Sequence, residues 1–197
     1  MFKQHLAKVI RTITVPPIMA LALLMILFGA KPEFFGNSLN LILAILFLVV
    51  FPILAYPLQP LIPYFRGKGR DGQRSLAMWM ASAGYIFGAV TAIFLPVSNY
   101  LLIIYLTYLI SGLSLVLLNK VFKIKASGHA CGVAGPVFSL IYFLGPWQLF
   151  GIFLLAAVFW ASLNMGRHDK SELLIGTTVP TYALLLSFLI VVGYHPL

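Results

Sequence analysis

Two short polar runs carry most of the reactive side chains in this chain: Ser127-Gly128-His129 and Arg167-His168-Asp169-Lys170-Ser171-Glu172. Each sits where a long apolar stretch meets water. Charged and titratable groups are costly beside lipid, so imidazoles, a carboxylate and cations at such boundaries are the first candidates for chemistry. Neutral imidazole is available near pH 7 as a nucleophile or as a general acid and base. Cations hold phosphate oxygens and stabilise developing charge. The combination points to phosphate handling at a membrane face. Two histidines and one or two acids spread over two loops lack a compact ligand spacing, so no metal or other cofactor is invoked.

The elements that must position these runs are set by composition. The chain of 197 residues is 61% hydrophobic and 9% charged, with a mean hydropathy of +1.03, too little polar surface to cover a soluble globule. A bilayer core needs about 20 apolar residues per helix. On that ruler seven stretches emerge: Thr12 to Ala30, Leu39 to Tyr56, Leu76 to Pro96, Asn99 to Leu118, His129 to Gly145, Trp147 to Met165 and Leu173 to Tyr194. The fifth and sixth abut at Gly145-Pro146, so six helices with one tilted or re-entrant segment is the alternative. Alternating barrel patterns are absent, which predicts an all-α polytopic transmembrane bundle of six to seven helices in a single domain, 1–197.

Lys3, Lys8 and Arg11 precede an apolar run longer than the usual secretory core, and Phe28 is a poor residue three before a cleavage site, so a retained helix is expected. Pro52, Pro57, Pro60 and Pro63 are expected to stop the second helix and shape a bent exit. Cys131 is the single cysteine, so no disulfide forms within the chain.

Of the 13 Lys and Arg, only Lys31 falls on the side opposite the others once the stretches are laid alternately across a membrane. The positive-inside rule then puts the N-terminus and the active-site loops in the cytoplasm, with a cell-membrane location expected and His195 opposite. The net charge of +9 otherwise serves orientation and attraction to anionic membrane lipids, and no nucleic-acid partner is expected. If the third and fourth stretches form one hairpin and the fifth and sixth another, the loops bearing Lys68 to Arg74, Ser127 to His129 and Arg167 to Glu172 emerge on one face. Three clusters distant in sequence can then share a pocket.

These residues resemble the type 2 phosphatidic acid phosphatase superfamily of membrane lipid-phosphate phosphatases. Its motifs are a Lys and an Arg seven residues apart followed by Pro, a Pro-Ser-Gly-His, and a Ser-Arg, five residues, His, three residues, Asp. Here the second reads Ala126-Ser127-Gly128-His129, and the third reads Ala161-Ser162, five residues, His168, three residues, Glu172, with Gly176 matching a glycine often found four residues beyond the acid. The chain departs from the pattern in placing Lys68 and Arg74 six apart, Ser75 for Pro, Ser162 for the phosphate-binding Arg and Glu172 for Asp. Arg66 or Arg70 offers a shifted alignment of the first motif. Arg167 offers another guanidinium for the third, although adjacent helical residues point about 100° apart.

The resemblance implies a metal-independent hydrolase in which His168 attacks phosphorus and forms a phosphohistidine while Glu172 binds its other ring nitrogen. His129 would protonate the leaving alkoxide and then activate water, and Lys68, Arg74, Ser127 and the Gly128 amide would hold the oxygens. Each cluster also has a structural reading. Asp169 and Glu172 fit a capping box opening the last helix, Ser127 fits an N-cap, and Gly132 and Gly135 fit close helix packing. His5 and His195 are read as structural. The expected substrate is an amphiphile of the polyprenyl phosphate, polyprenyl diphosphate or phosphatidic acid class. The alternative is a non-catalytic lipid-phosphate binding or transport protein on a degenerate phosphatase scaffold.

Overall fold

The computed structural model describes residues 2–194, and the His195 expectation lies outside them. Eight principal helices carry the chain: α1 (Phe2–Ile13), α2 (Pro16–Ala30), α3 (Ser38–Leu61), α4 (Gly69–Phe94), α5 (Asn99–Val121), α6 (Gly128–Leu144), α7 (Pro146–Asn164) and α8 (Lys170–Tyr194). No strand occurs among the described residues, and the protein is an all-α helical bundle. Five of these helices are long and apolar enough to cross a membrane, six if the bent pair α1 and α2 is counted as one broken span, and α6 is a shorter apolar helix of 17 residues.

The first stretch does not run unbroken from Thr12. The chain bends by 54° between α1 and α2. Pro16 and Pro17 open α2 without N–H donors, and the residue before a proline is pushed out of the helical region, so the break falls at Val15. What precedes it is an amphipathic helix. Phe2, Leu6, Val9 and Ile13 recur at helical spacing and are all exposed, whereas Ala7 and Thr14 are buried on the other side. Such a helix is suited to lie along a membrane surface with its apolar stripe in lipid.

Of the four prolines, Pro52 and Pro57 lie inside the second spanning helix, which runs to Leu61, and the expected bent exit comes at Pro60 and Pro63: a tighter turn over Gln59–Leu61, extended Ile62, then a separate short helix Pro63–Arg66. One turn, Leu46–Val50, is opened to i→i+5 hydrogen bonding just before Pro52. The wider turn accommodates the missing donor and ring without breaking the rod. α4 likewise starts earlier than the apolar stretch, so Arg70 and Arg74 are helical.

The helices sort their connections to two ends. At one, Ser98 caps α5 and its hydroxyl donates to the carbonyl of Phe34, buried Asn40 donates to Phe35 and Pro96 at 2.8 and 3.2 Å, and Phe34 meets Phe143 ring to edge. Lys31 is at this end. α4 packs on α5 and α6 on α7, and α8 packs on both α5 and α6. Three apolar cores hold the described residues together: Leu23, Leu24, Leu27, Leu48, Leu101 and Tyr105 join α2, α3 and α5, Met19, Val133, Val137, Leu155 and Val158 join α2, α6 and α7, and Ile103, Leu184 and Val191 join α5 and α8. Large apolar side chains such as Phe94, Trp147 and Phe153 point outward, as a lipid-facing surface requires.

Candidate active site

The second helix end gathers the reactive groups. After α7, Gly166 takes a φ of 57°, a left-handed turn that lets the Arg167 amide bond the Ser162 carbonyl at 3.0 Å and closes the helix. Asp169 then starts α8. Its Oδ1 accepts the Glu172 amide at 2.8 Å and the Ser171 hydroxyl at 2.7 Å. The Glu172 amide, then the Ser171 hydroxyl, hold the Asp169 carboxyl below the usual carboxylate range. The capping reading is half right. Asp169 is the cap, but the Glu172 side chain goes to His168, where Nδ1 and Oε2 are 2.6 Å apart. One turn of helix places them together, as an i, i+4 pair. Ionised Glu172 can only accept, so Nδ1 carries the proton and the lone pair of Nε2 is left for chemistry.

The Ser127 loop docks directly on this helix. The Ser127 amide donates to the Glu172 carbonyl at 2.9 Å. Gly176, one turn on, lies so close that an added Cβ would strike the Ser127 carbonyl oxygen and come within 3.0 Å of its nitrogen. Asn119 straps the loop from α5, accepting from the Ala126 amide at 3.1 Å and donating to its carbonyl at 3.3 Å. Ser127 is fully buried and its hydroxyl accepts the Ala130 amide at 3.3 Å, so it caps α6. Gly128 is exposed at the first position of that helix, where amides have no intrahelical acceptor and favour an anion.

His129 follows in the first turn, with Nε2 3.0 Å from the Thr14 hydroxyl. That hydroxyl also bonds the Ile10 carbonyl at 2.7 Å. With its one proton spent on Ile10, Thr14 accepts from His129, which assigns the proton to Nε2 and frees Nδ1. The two imidazoles are brought to one end of the bundle by the Ser127–Glu172 backbone bond, since His129 follows Ser127 and His168 holds Glu172. Gly132, one turn below, lets Pro16 approach to 2.5 Å of a would-be Cβ, which seats the α1–α2 elbow against α6.

The cations arrive unevenly. Lys68 turns away, its ammonium 3.2 Å from the centre of the Tyr64 ring. Arg11, a half-buried residue of α1, donates from its guanidinium to the buried Ser162 hydroxyl. Burial first, then the charges of Arg167 and Arg74, disfavour its charged form. Lys125 stands 4.0 Å from the second oxygen of Glu172 with its side chain in solvent. Sequence reasoning missed Arg11, Thr14 and Asn119. For Arg11 a signal existed: it sits on the side of α1 opposite the stripe of Phe2, Leu6, Val9 and Ile13, where a cation facing water alone is not required.

The arrangement therefore offers an imidazole nitrogen backed by a carboxylate, a second imidazole with a free nitrogen, a helix N-terminus and the Arg11 guanidinium. That set can accept a phosphoryl group and pass it to water. Comparison with known proteins adds nothing to it. No family model, no curated protein and no solved structure matches this chain.

Proposed function

We propose that the protein is a membrane phosphatase that hydrolyses a phosphate ester or diphosphate of an amphiphilic lipid. The observation that carries this reading is the 2.6 Å pairing of His168 with Glu172, on the same turn of α8 against which the loop leading to His129 docks. His168 Nε2 attacks phosphorus, and the phosphorus–oxygen bond to the lipid breaks as the nitrogen–phosphorus bond forms. The leaving alkoxide takes a proton from His129 Nδ1, the positive charge on the phosphorylated His168 ring is stabilised by Glu172, and neutral His129 then takes a proton from water. The hydroxide equivalent attacks phosphorus, phosphate departs and His168 is regenerated. Burial, then the charge of Arg11, holds His129 well below the ordinary imidazole range, so it rests neutral with Nδ1 bare, and the negative charge of an arriving phosphate is what favours the second proton, on Nδ1.

The substrate reading rests on place. The site sits at the end of an apolar bundle beside a helix whose apolar stripe faces outward, so a phosphate headgroup fits with its tail in lipid. Polyprenyl phosphates, polyprenyl diphosphates and phosphatidic acid share that chemistry. The concentration of 12 of 13 cations at the same end favours a cytoplasmic face of the cell membrane for the site and the N-terminus.

Phosphate release from a panel of these lipids by the purified protein in nanodiscs tests the reading. Turnover is expected, and its loss in His168→Ala identifies the nucleophile. Tight lipid-phosphate binding without turnover would instead support a binding or transport protein on the same scaffold.

A further inference from the structure

Arg11 of α1 donates to the Ser162 hydroxyl, and the Ser162 carbonyl takes the Arg167 amide at 3.0 Å, so Arg11 and the Arg167 backbone meet at the end of α7. Burial first, then the charges of Arg167 and of Arg74 on α4, disfavour the charged form of Arg11. Among the described residues, the ion pairs of the chain are His168–Glu172 and Lys125–Glu172. The chain has four acids. Glu172 is taken by His168, Asp169 caps α8 and Glu33 lies at the other end of the bundle, while Asp71 is exposed in the first turn of α4. Among the described residues, none of Arg11, Arg74 and Arg167 is paired with a carboxylate. Like charges gathered at a partly buried position are costly unless an anion completes them.

Arg11 is the best held of the three. Arg74 and Arg167 are exposed, whereas Arg11 is half-buried and anchored by the fully buried Ser162 hydroxyl. A guanidinium has five N–H donors in a fixed fork, and Ser162 engages one edge of it. The same helix reaches the second imidazole, since Thr14, three residues on, bonds His129 Nε2. α1 therefore supplies a rigid donor and orients the acid–base histidine in one piece.

We propose that Arg11 is the guanidinium that clamps the phosphoryl oxygens in this site, with Ser162 as its anchor rather than a phosphate ligand. The inference rests on the phosphate-site reading above. It makes the N-terminal helix part of the site, supplying from 151 residues away the charge that Ser162 itself cannot.

Binding is the measurement that separates the two claims. Isothermal titration of purified protein with inorganic orthovanadate and with dihexanoyl phosphatidic acid reads the phosphate group with and without a lipid body. Arg11→Ala should weaken both probes by about tenfold or more, the loss of one charge-assisted contact. Arg11→Lys should fall between, and Arg11→Ala combined with Ser162→Arg should regain most of the affinity by returning a guanidinium from α7. Unchanged binding in Arg11→Ala, with the unaltered protein binding well, overturns the role of Arg11 and leaves the phosphate site standing. Loss for the lipid probe alone also overturns it, since a clamp on phosphate must affect both. Loss that neither Arg11→Lys nor Ser162→Arg relieves, accompanied by a lower thermal midpoint, marks a structural role and overturns it too. If the unaltered protein binds neither probe, the phosphate-site reading falls and takes this inference with it.

Discussion

Gly176 of α8 rests against the backbone of Ser127, with no room for a side chain between them. This contact sets the distance between the two loops that carry His129 and His168, because the Ser127 amide bonds the Glu172 carbonyl in the same turn. A methyl group there must push the Ser127 loop off α8. Gly176→Ala should lower stability by roughly 1–3 kcal/mol as an overpacked site, and it should lower turnover more than its stability loss explains. Thermal unfolding and phosphate release on the same preparation check it. A Gly176→Ala protein with full activity would show that the loops hold their spacing without this contact.

In the proposed mechanism the imidazoles have different tasks, so their removal should have different floors. His168→Ala should leave no turnover, since no other side chain at the site is placed to carry the phosphoryl group. His129→Ala should cost about 10² to 10⁴ fold, the range of general acid–base catalysis. Residues of one catalytic unit are not additive, so the double variant should be little worse than His168→Ala alone. Undiminished turnover in either single variant would reject the assignment.

Asp169 and Glu172 are separable although both belong to the first turn of α8. Asp169→Ala removes the cap but leaves the His168–Glu172 contact, so it should lower the thermal midpoint and keep most of the turnover. Glu172→Gln keeps the helix start and weakens the hold on the His168 ring, so it should cut turnover with little change in the midpoint. The Asp169 carboxyl lies below its ordinary range because the Glu172 amide stabilises its charged form. A lowered value means that its stabilising effect is present above the ordinary carboxylate range and is lost on acidification through the lowered one. The difference in midpoint between Asp169→Ala and the unaltered protein should therefore shrink as the pH is brought down through that range, as measured by thermal melts across an acid series.

Hydropathy alone makes the helical bundle legible, because about 20 apolar residues have one stable form in lipid. Its errors are local and have causes. Thr12 to Ala30 reads as one apolar run, yet Pro16 and Pro17 split it and leave the preceding residues to a separate amphipathic helix bent by 54° from α2. Pro52 looks like a stop, and a single widened turn absorbs it. At the site, the pairing of His168 with Glu172 follows from i, i+4 spacing, and the capping role of Asp169 from the same few residues. Arg11 was not legible from the motif positions, because nothing local to Ser162 indicates a partner 151 residues away. Lys68 shows the reverse failure. Its spacing to Arg74 looks like half of a phosphate clamp, but Tyr64 one turn earlier offers its ring face and takes the ammonium.

The topology makes its own prediction. Cysteines introduced singly at Lys68, Lys123 and Lys170 in a Cys131→Ala background should label from one side of the membrane, and one at Lys31 from the other. The positive-inside count expects the shared side to be cytoplasmic. Labelling of positions 68 and 170 from opposite sides would break the convergence on which the site depends.

Thr14 offers the finest test of how α1 serves the chemistry. Its hydroxyl spans the Ile10 carbonyl and His129 Nε2 at 2.7 and 3.0 Å, an arrangement that holds the imidazole with Nδ1 turned to the site. Thr14→Val keeps the shape of the side chain and removes the acceptor, leaving the His129 ring free to rotate or to carry its proton on the wrong nitrogen. One neutral hydrogen bond contributes about 1 kcal/mol, so turnover should fall roughly five- to tenfold, with KM little changed because Thr14 does not touch phosphate. The acidic limb of the pH–rate profile should move as well, since the group that titrates there has lost a partner. Thr14→Ser restores the hydroxyl and should restore both. A Thr14→Val enzyme with the original rate and profile would mean that His129 is oriented from elsewhere, and that α1 contributes Arg11 to the site and nothing to its acid–base step.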